Sequence, residues 1–152
     1  MEKLTGSQLT GLMNAESREV NLRPVDVDPL SWLPATGFRL SKAGVRFDAV
    51  RVGGDRGRAL ADVLARMTGG DPGPVVEEAN GNRYVYFLVG VGSTAFRAWP
   101  EGVVRLTAGP GRIAYVPVPA LEGWTWPLAW RYRPAADGRL VHTLLLHTAL
   151  SA

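Results

Sequence analysis

Few residues in this sequence have the types and spacing that chemistry requires, and carboxyl groups come first. Asp26-Val27-Asp28 sets two of them one residue apart. On an extended chain a side-chain period of two puts both on one side, an arrangement that can hold a divalent metal for phosphoryl transfer. Pro24 and Pro29 bracket the pair, and aspartate before proline starts turns, so a turn is the preferred reading and a metal pair the alternative. Gly90-Val91-Gly92-Ser93-Thr94 follows a strand-like run and could offer backbone N–H groups to a phosphate. It lacks the lysine of a P-loop and the third glycine of the dinucleotide fingerprint, so it reads as a plain turn. His142 and His147 are the only histidines. Five residues apart, they fall on different sides of a helix or a strand, and neither element lets them share a metal. No nucleophile pattern accompanies them, so no triad is expected. Trp124, Trp126, Trp130 and Tyr132 interleave with Arg131 and Arg133. Such a cluster can stack on bases or a partner surface, but the preferred reading is a strand whose tryptophans close one end of the core.

Composition bounds the elements that must position these groups. At 152 residues the chain is one domain's worth of sequence, long enough to bury about two thirds of its unfolded surface. An apolar fraction of 46% with 20% charged residues predicts a folded core rather than disorder. No cysteine is present, which excludes a disulfide framework and thiolate metal sites and fits a reducing compartment. The first twenty residues carry no apolar run of signal or membrane-spanning length, so a cytoplasmic protein without membrane association is expected. Net charge is +3, and Lys3 and Lys42 are the only lysines. Arginine over lysine, with abundant Gly, Ala, Pro and Val, is what a GC-rich bacterial genome writes. The excess permits nucleic-acid or acidic partners without requiring them.

The predicted fold is α+β: a single domain with a mainly antiparallel or mixed sheet, one clear amphipathic helix over residues 55–68 and a short N-terminal helix. Residues 1–43 read as an N-terminal arm and proline-rich connector, and 44–152 as the core domain. In the arm, Leu4, Leu9, Leu12 and Met13 are loosely helical in spacing. Residues 45–52 alternate as a strand, with Val45, Phe47, Ala49 and Arg51 on one face and Arg46, Asp48, Val50 and Val52 on the other. Leu60, Val63, Leu64 and Met67 mark the helix stripe, with Asp55 as N-cap and Gly69, Gly70 and Pro72 as the stop. Residues 74–78 and 83–91 flank Asn80-Gly81 and predict an antiparallel hairpin with a loop longer than two residues. Tyr84 to Val89 is apolar on both alternating sets, which predicts a central strand covered on both faces. Gly109-Pro110-Gly111 separates two further strands, and Pro117 and Pro119 belong at an edge or strand end. The tail from Asp137 is a turn followed by a short apolar strand or helix.

The succession VRFDAV, amphipathic helix, NRYVYFLV and GVVRLTAGPGRIAYVPVP, over residues 44–120, resembles the N-terminal domain of bifunctional DNA primase/polymerases, a branch of the archaeo-eukaryotic primase superfamily. It is also similar in outline to small proteins that actinobacteria carry. In that family the first catalytic strand ends in a D-x-D that holds two metal ions; here the strand reads Asp48-Ala49-Val50. A catalytic histidine precedes an aromatic pair in the family, and Tyr84 stands there, ahead of Tyr86 and Phe87. A third motif places an aspartate two residues before an arginine, and Val103 stands two before Arg105. Two-metal phosphoryl transfer needs several carboxylates. The resemblance therefore implies a catalytically dead relative, without metal or cofactor. It would be a binding or regulatory module that engages nucleic acid or a protein through an arginine and aromatic surface, with Arg46, Arg51, Arg83, Arg105, Trp130, Arg131 and Arg133 as its candidates. One alternative is a metal-dependent nucleotidyltransferase or nucleotide-hydrolysing enzyme using Asp48 with Asp26 and Asp28. Another is a structural protein that self-associates into homo-oligomers through tryptophans at 124–130.

Overall fold

A strand apolar at every position is stable only between two covering layers, and Val85–Val89 meets that demand in the computed structural model, which describes residues 28–152. The chain forms two units, Met1–Ser31 and Trp32–Ala152. In the first, the Asp28 carboxyl accepts from Leu30 N at 2.9 Å and the Asp28 carbonyl from Ser31 N at 3.1 Å, so Asp28-Pro29 is a turn. Asp26 and the expected N-terminal helix lie outside the described residues.

The second unit runs β1 (Phe38–Lys42), β2 (Asp48–Val52), α1 (Gly54–Met67), β3 (Val75–Glu78), β4 (Val85–Val89), β5 (Val103–Leu106), β6 (Tyr115–Pro119), β7 (Leu128–Tyr132) and α2 (Thr143–Ser151). Five strands form an antiparallel sheet in the order β5-β2-β4-β3-β7, and β1 pairs antiparallel with β6 in a separate two-stranded ribbon. The α+β class and the central place of β4 agree with the sequence. Strand β1 is an addition to it. The β3–β4 hairpin closes through Glu78 N to Tyr84 O at 2.9 Å and Arg83 N to Asn80 O at 2.9 Å, a five-residue loop as expected. The two strands around Gly109–Gly111 go to different sheets, β5 beside β2 and β6 beside β1. The tail forms helix α2. No helix among the described residues is long and apolar enough to cross a membrane.

The face of the sheet bearing Val50, Val52, Val75, Val85, Phe87 and Val89 packs with Leu60, Ala61 and Leu64 of α1 and Leu146 of α2 in one core. On the other face lie Ala49, Val76 and Leu88, all buried, and β6 of the ribbon sits against β3 and β7. Trp32 bridges these parts, edge-on to Phe47 at 5.1 Å and to Trp130 at 6.3 Å between ring centres.

Two details of α1 differ from expectation. Gly53 is the N-cap and makes no side-chain bond, so Asp55 sits within the first turn, where a negative group faces the positive end of the helix dipole. The buried stripe is Gly57, Leu60, Ala61, Leu64 and Ala65, while Met67 is 48% exposed. The smallest residues face the sheet because the helix lies so close to it: a Cβ on Gly57 would stand 2.7 Å from Val85 Cβ and 3.0 Å from the Val52 carbonyl oxygen.

Gly57→Ala is accordingly expected to lower stability by about 1–2 kcal/mol despite the better helix propensity of alanine. Gly53→Ala meets no atom within 4 Å and keeps an ordinary φ of −71, and it is expected to stay within about 0.5 kcal/mol of wild type. Equal urea midpoints for the two variants would refute the close approach.

Candidate binding site

The alternation of β2 puts Asp48 on the same side as Val50 and Val52, toward the helices, and its side chain is fully buried. Its Oδ2 accepts from Gly92 N at 2.9 Å and from Thr107 Oγ1 at 2.8 Å. Its Oδ1 is buried as well and has no protein partner. The glycine-rich segment after β4 is thus a turn whose Gly92 N–H points inward at a carboxyl group. Ser93 fastens the same turn, with its hydroxyl on Gly90 O and on Thr143 Oγ1 at the start of α2, both at 2.6 Å. Among the described residues no three His, Asp or Glu side chains converge as metal ligands would.

The arginine candidates go to different places. Arg105 donates from Nε to Thr94 Oγ1 at 3.0 Å and braces the turn from within. Arg131 grips Asp62 through two bonds of 3.1 and 2.7 Å and reaches Glu77 at 3.0 Å. A register shift between Val75 and Val76 brings Arg131 and Tyr132 to the same carboxylate, which also accepts from the Tyr132 hydroxyl at 2.8 Å. These donors, Arg131 first and Tyr132 second, hold the Asp62 carboxyl below its ordinary value, against the opposing effect of burial. Arg131 is raised in return, chiefly by Asp62. It fastens α1 to the sheet edge. Arg133 bonds Leu121 O and Glu122, and Arg83 bonds Asp55 at 3.2 Å while its carbonyl accepts from Arg58.

Arg51 lies on the opposite face from Asp48, with its guanidinium 4.1 Å from the centre of the Tyr84 ring. Tyr84 meets Tyr86 edge-on, and the Tyr86 hydroxyl faces Glu78 at 3.4 Å. Burial, with Glu78 beside it, pushes the Tyr86 phenol up to about 12. Trp130 is half-buried against Trp32, whereas Trp124 and Trp126 are 80% and 55% exposed. The expectation that these tryptophans together close the core is corrected: Trp124 and Trp126 precede β7 in a loop, where no strand alternation turns them inward. His142 caps α2 through Nδ1, and His147 bonds Ala98 O at 2.8 Å with its ring edge-on to Trp99.

Arg46 lines a cleft with two further cations, whereas the cleft that Arg83 lines with Arg58 also holds the Glu77 carboxylate. The Arg46 cleft, of about 390 Å³, is bounded by Arg39, Lys42 and Arg46 together with Trp32, Leu40, Ser41, Val45 and Phe47. Among the described residues its lining includes no carboxyl group. Arg39 is steered there by a 2.6 Å bond from Nη2 to the Trp32 carbonyl. Arg39 and Lys42 were missed in the sequence, although Arg39 to Arg46 carries three cations and no acidic residue. Arg39 and Lys42 stand out only once β1 folds over Trp32. No protein-family model, curated protein or solved structure matches this chain.

Asp48→Ala would leave Gly92 N–H and the Thr107 hydroxyl without their acceptor, and a loss of about 1–3 kcal/mol in unfolding free energy is expected; unchanged stability would show that the carboxyl does not hold the turn. Asp62 titrates lower in the folded than in the unfolded chain. Its stabilisation is therefore complete above its ordinary value of 3.8 and is lost as pH falls through the folded value. Since the pair is 28% and 38% exposed, solvent screening limits its worth to about 1 kcal/mol or less. Urea midpoints from about pH 5 to about pH 2 are expected to fall more steeply for wild type than for Asp62→Asn. Parallel curves would remove Asp62 from the acid response.

Proposed function

We propose that this chain is a non-catalytic binding module, a relative of the primase/polymerase N-terminal domain that has kept a scaffold without its two-metal chemistry, and that it holds single-stranded nucleic acid in the cleft beside β1. The observation that carries the reading is the lining of that cleft. Three exposed cations, Arg39, Lys42 and Arg46, face the same space as Trp32, Leu40 and Val45, and among the described residues no carboxyl group lines it. A ligand suited to it is anionic along one side and flat and apolar along the other, as a polynucleotide single strand is. Arginine can take a phosphate through two parallel bonds, and the neighbouring lysine adds a point charge.

The non-catalytic part of the reading is supported by Asp48. A metal ligand must present its oxygens to the ion and the reacting phosphate, whereas this carboxyl is buried, with one oxygen engaged by Gly92 and Thr107. A cytoplasmic setting fits a chain without cysteine.

Fluorescence anisotropy with a labelled oligothymidylate tests the assignment. Three phosphate contacts on a single strand give a slope of about −2 for log affinity against log salt. The triple substitution Arg39→Gln, Lys42→Gln, Arg46→Gln is expected to weaken binding at least about tenfold and to flatten that slope. Binding that is insensitive to salt, or unchanged in the triple variant, would move the function to another surface. Metal-dependent turnover of a nucleoside triphosphate by the wild-type chain would overturn the non-catalytic part.

A further inference from the structure

The two outer edges of the β1–β6 ribbon are chemically unlike each other. The bonds Ala43 N to Ala114 O and Ala120 N to Gly37 O, both 2.8 Å, fix the phase of the ladder. With the register Phe38↔Pro119, Arg39↔Val118, Leu40↔Pro117, Ser41↔Val116 and Lys42↔Tyr115, the hydrogen-bonded pairs are those of Arg39 and Ser41. Phe38, Leu40 and Lys42 therefore turn their N–H and C=O groups away from β6. On β6 the residues turned outward include Pro117 and Pro119, which have no N–H to offer, so that edge is closed to a further strand. The β1 edge carries no proline and no bulge. Phe38 and Leu40 on it are 47% and 59% exposed, and Tyr115, across from Lys42, is 51% exposed.

We infer that the β1 edge pairs with the β1 edge of a second copy of this chain, antiparallel about a two-fold axis at Leu40, to form a continuous four-stranded sheet. The choice of occupant follows from the register. Full overlap of the outward groups sets Leu40 opposite Leu40 of the second copy, and Phe38 opposite its Lys42. Arg39 then falls opposite Ser41. No like charges stand directly opposite, the exposed leucines cover each other, and each lysine stem lies along a phenyl ring, where cation and ring attract. The interface is isologous and closes at two copies. An edge of five residues gives a small, reversible contact. The inference rests on edge chemistry and does not depend on the nucleic-acid reading.

Sedimentation velocity on the full chain from about 1 µM to about 1 mM is expected to show a reversible monomer–dimer equilibrium and no larger species. Leu40→Pro removes an outward N–H that the ribbon does not use. It is expected to leave circular dichroism and thermal midpoint near those of wild type while raising the dimer dissociation constant at least about tenfold. A second variant reads the register without disturbing the strand. The chain has no cysteine, and residues directly opposite in a hydrogen-bonded antiparallel pair have Cα atoms about 5.5 Å apart, within disulfide reach. Leu40→Cys is therefore expected to form a disulfide-linked dimer on mild oxidation much faster than Leu144→Cys, at an exposed position of α2. A wild-type chain that stays monomeric throughout, a folded Leu40→Pro variant that dimerises as wild type does, growth beyond two copies, or equal cross-linking of the two cysteine variants would each overturn the inference.

Discussion

The double burial of β4 is the constraint from which the architecture follows. Five consecutive residues, Val85 to Val89, are all buried, and no single layer can cover both faces of a strand. One face is satisfied by α1 and α2, the other in part by the ribbon of β1 and β6 with Trp32 and Phe47. Fully burying a Val, Leu or Phe side chain contributes about 1.5–3 kcal/mol, so losing either layer would expose several such residues at once. The chain cannot form its central sheet without also bringing its helices and its ribbon to opposite sides.

That layering decides where polar groups can go. Asp48 falls on the helix side of β2 by alternation alone, and a carboxyl in that position requires donors. Gly92 and Thr107 provide them, so the residue that looked most like a remnant of phosphoryl-transfer chemistry works as a clasp between β2, the turn after β4 and the chain beyond β5. Asp62 does a comparable task at the β7 edge of the sheet, where Arg131 and Tyr132 tie α1 to β7. In both cases a polar side chain is consumed by the fold, and the candidates Asp48 and Arg131 are spent on internal bonds.

Periodicity made the sheet legible. The apolar run of β4, the Asn80-Gly81 hairpin, the faces of β2 and the Leu60–Leu64 stripe are signals of local spacing, and local spacing survives into the structure. What the sequence concealed depends on contacts distant along the chain. Strand β1 sits between Pro34 and the turn at Gly44 and acquires a partner only seventy-odd residues later, at β6. The exposure of Trp124 and Trp126 follows from their lying outside any strand, a matter of boundaries rather than of composition. Arginine abundance was equally uninformative by itself, since Arg105 and Arg131 are internal braces and Arg39, which no motif marks, faces a cleft.

Within the ribbon, β6 is buried at four of its five positions, whereas β1 is the most exposed of the described strands. Strand β1 has no buried residue and pairs on one side only, so its backbone and side chains satisfy few internal demands, and such elements are where binding surfaces are drawn from. Its inner neighbours Trp32 and Phe47 are fixed by ring contacts to the core, which gives the cations of Arg39, Lys42 and Arg46 a rigid floor. Its outer edge is open where β6 is closed by proline. Support from below and an edge left open among the described residues are the two features on which the proposed contacts rest. The basic cleft and the open edge share four residues, Arg39, Leu40, Ser41 and Lys42, so pairing two ribbons would also bring the cationic side chains of Arg39 and Lys42 from both copies to one seam.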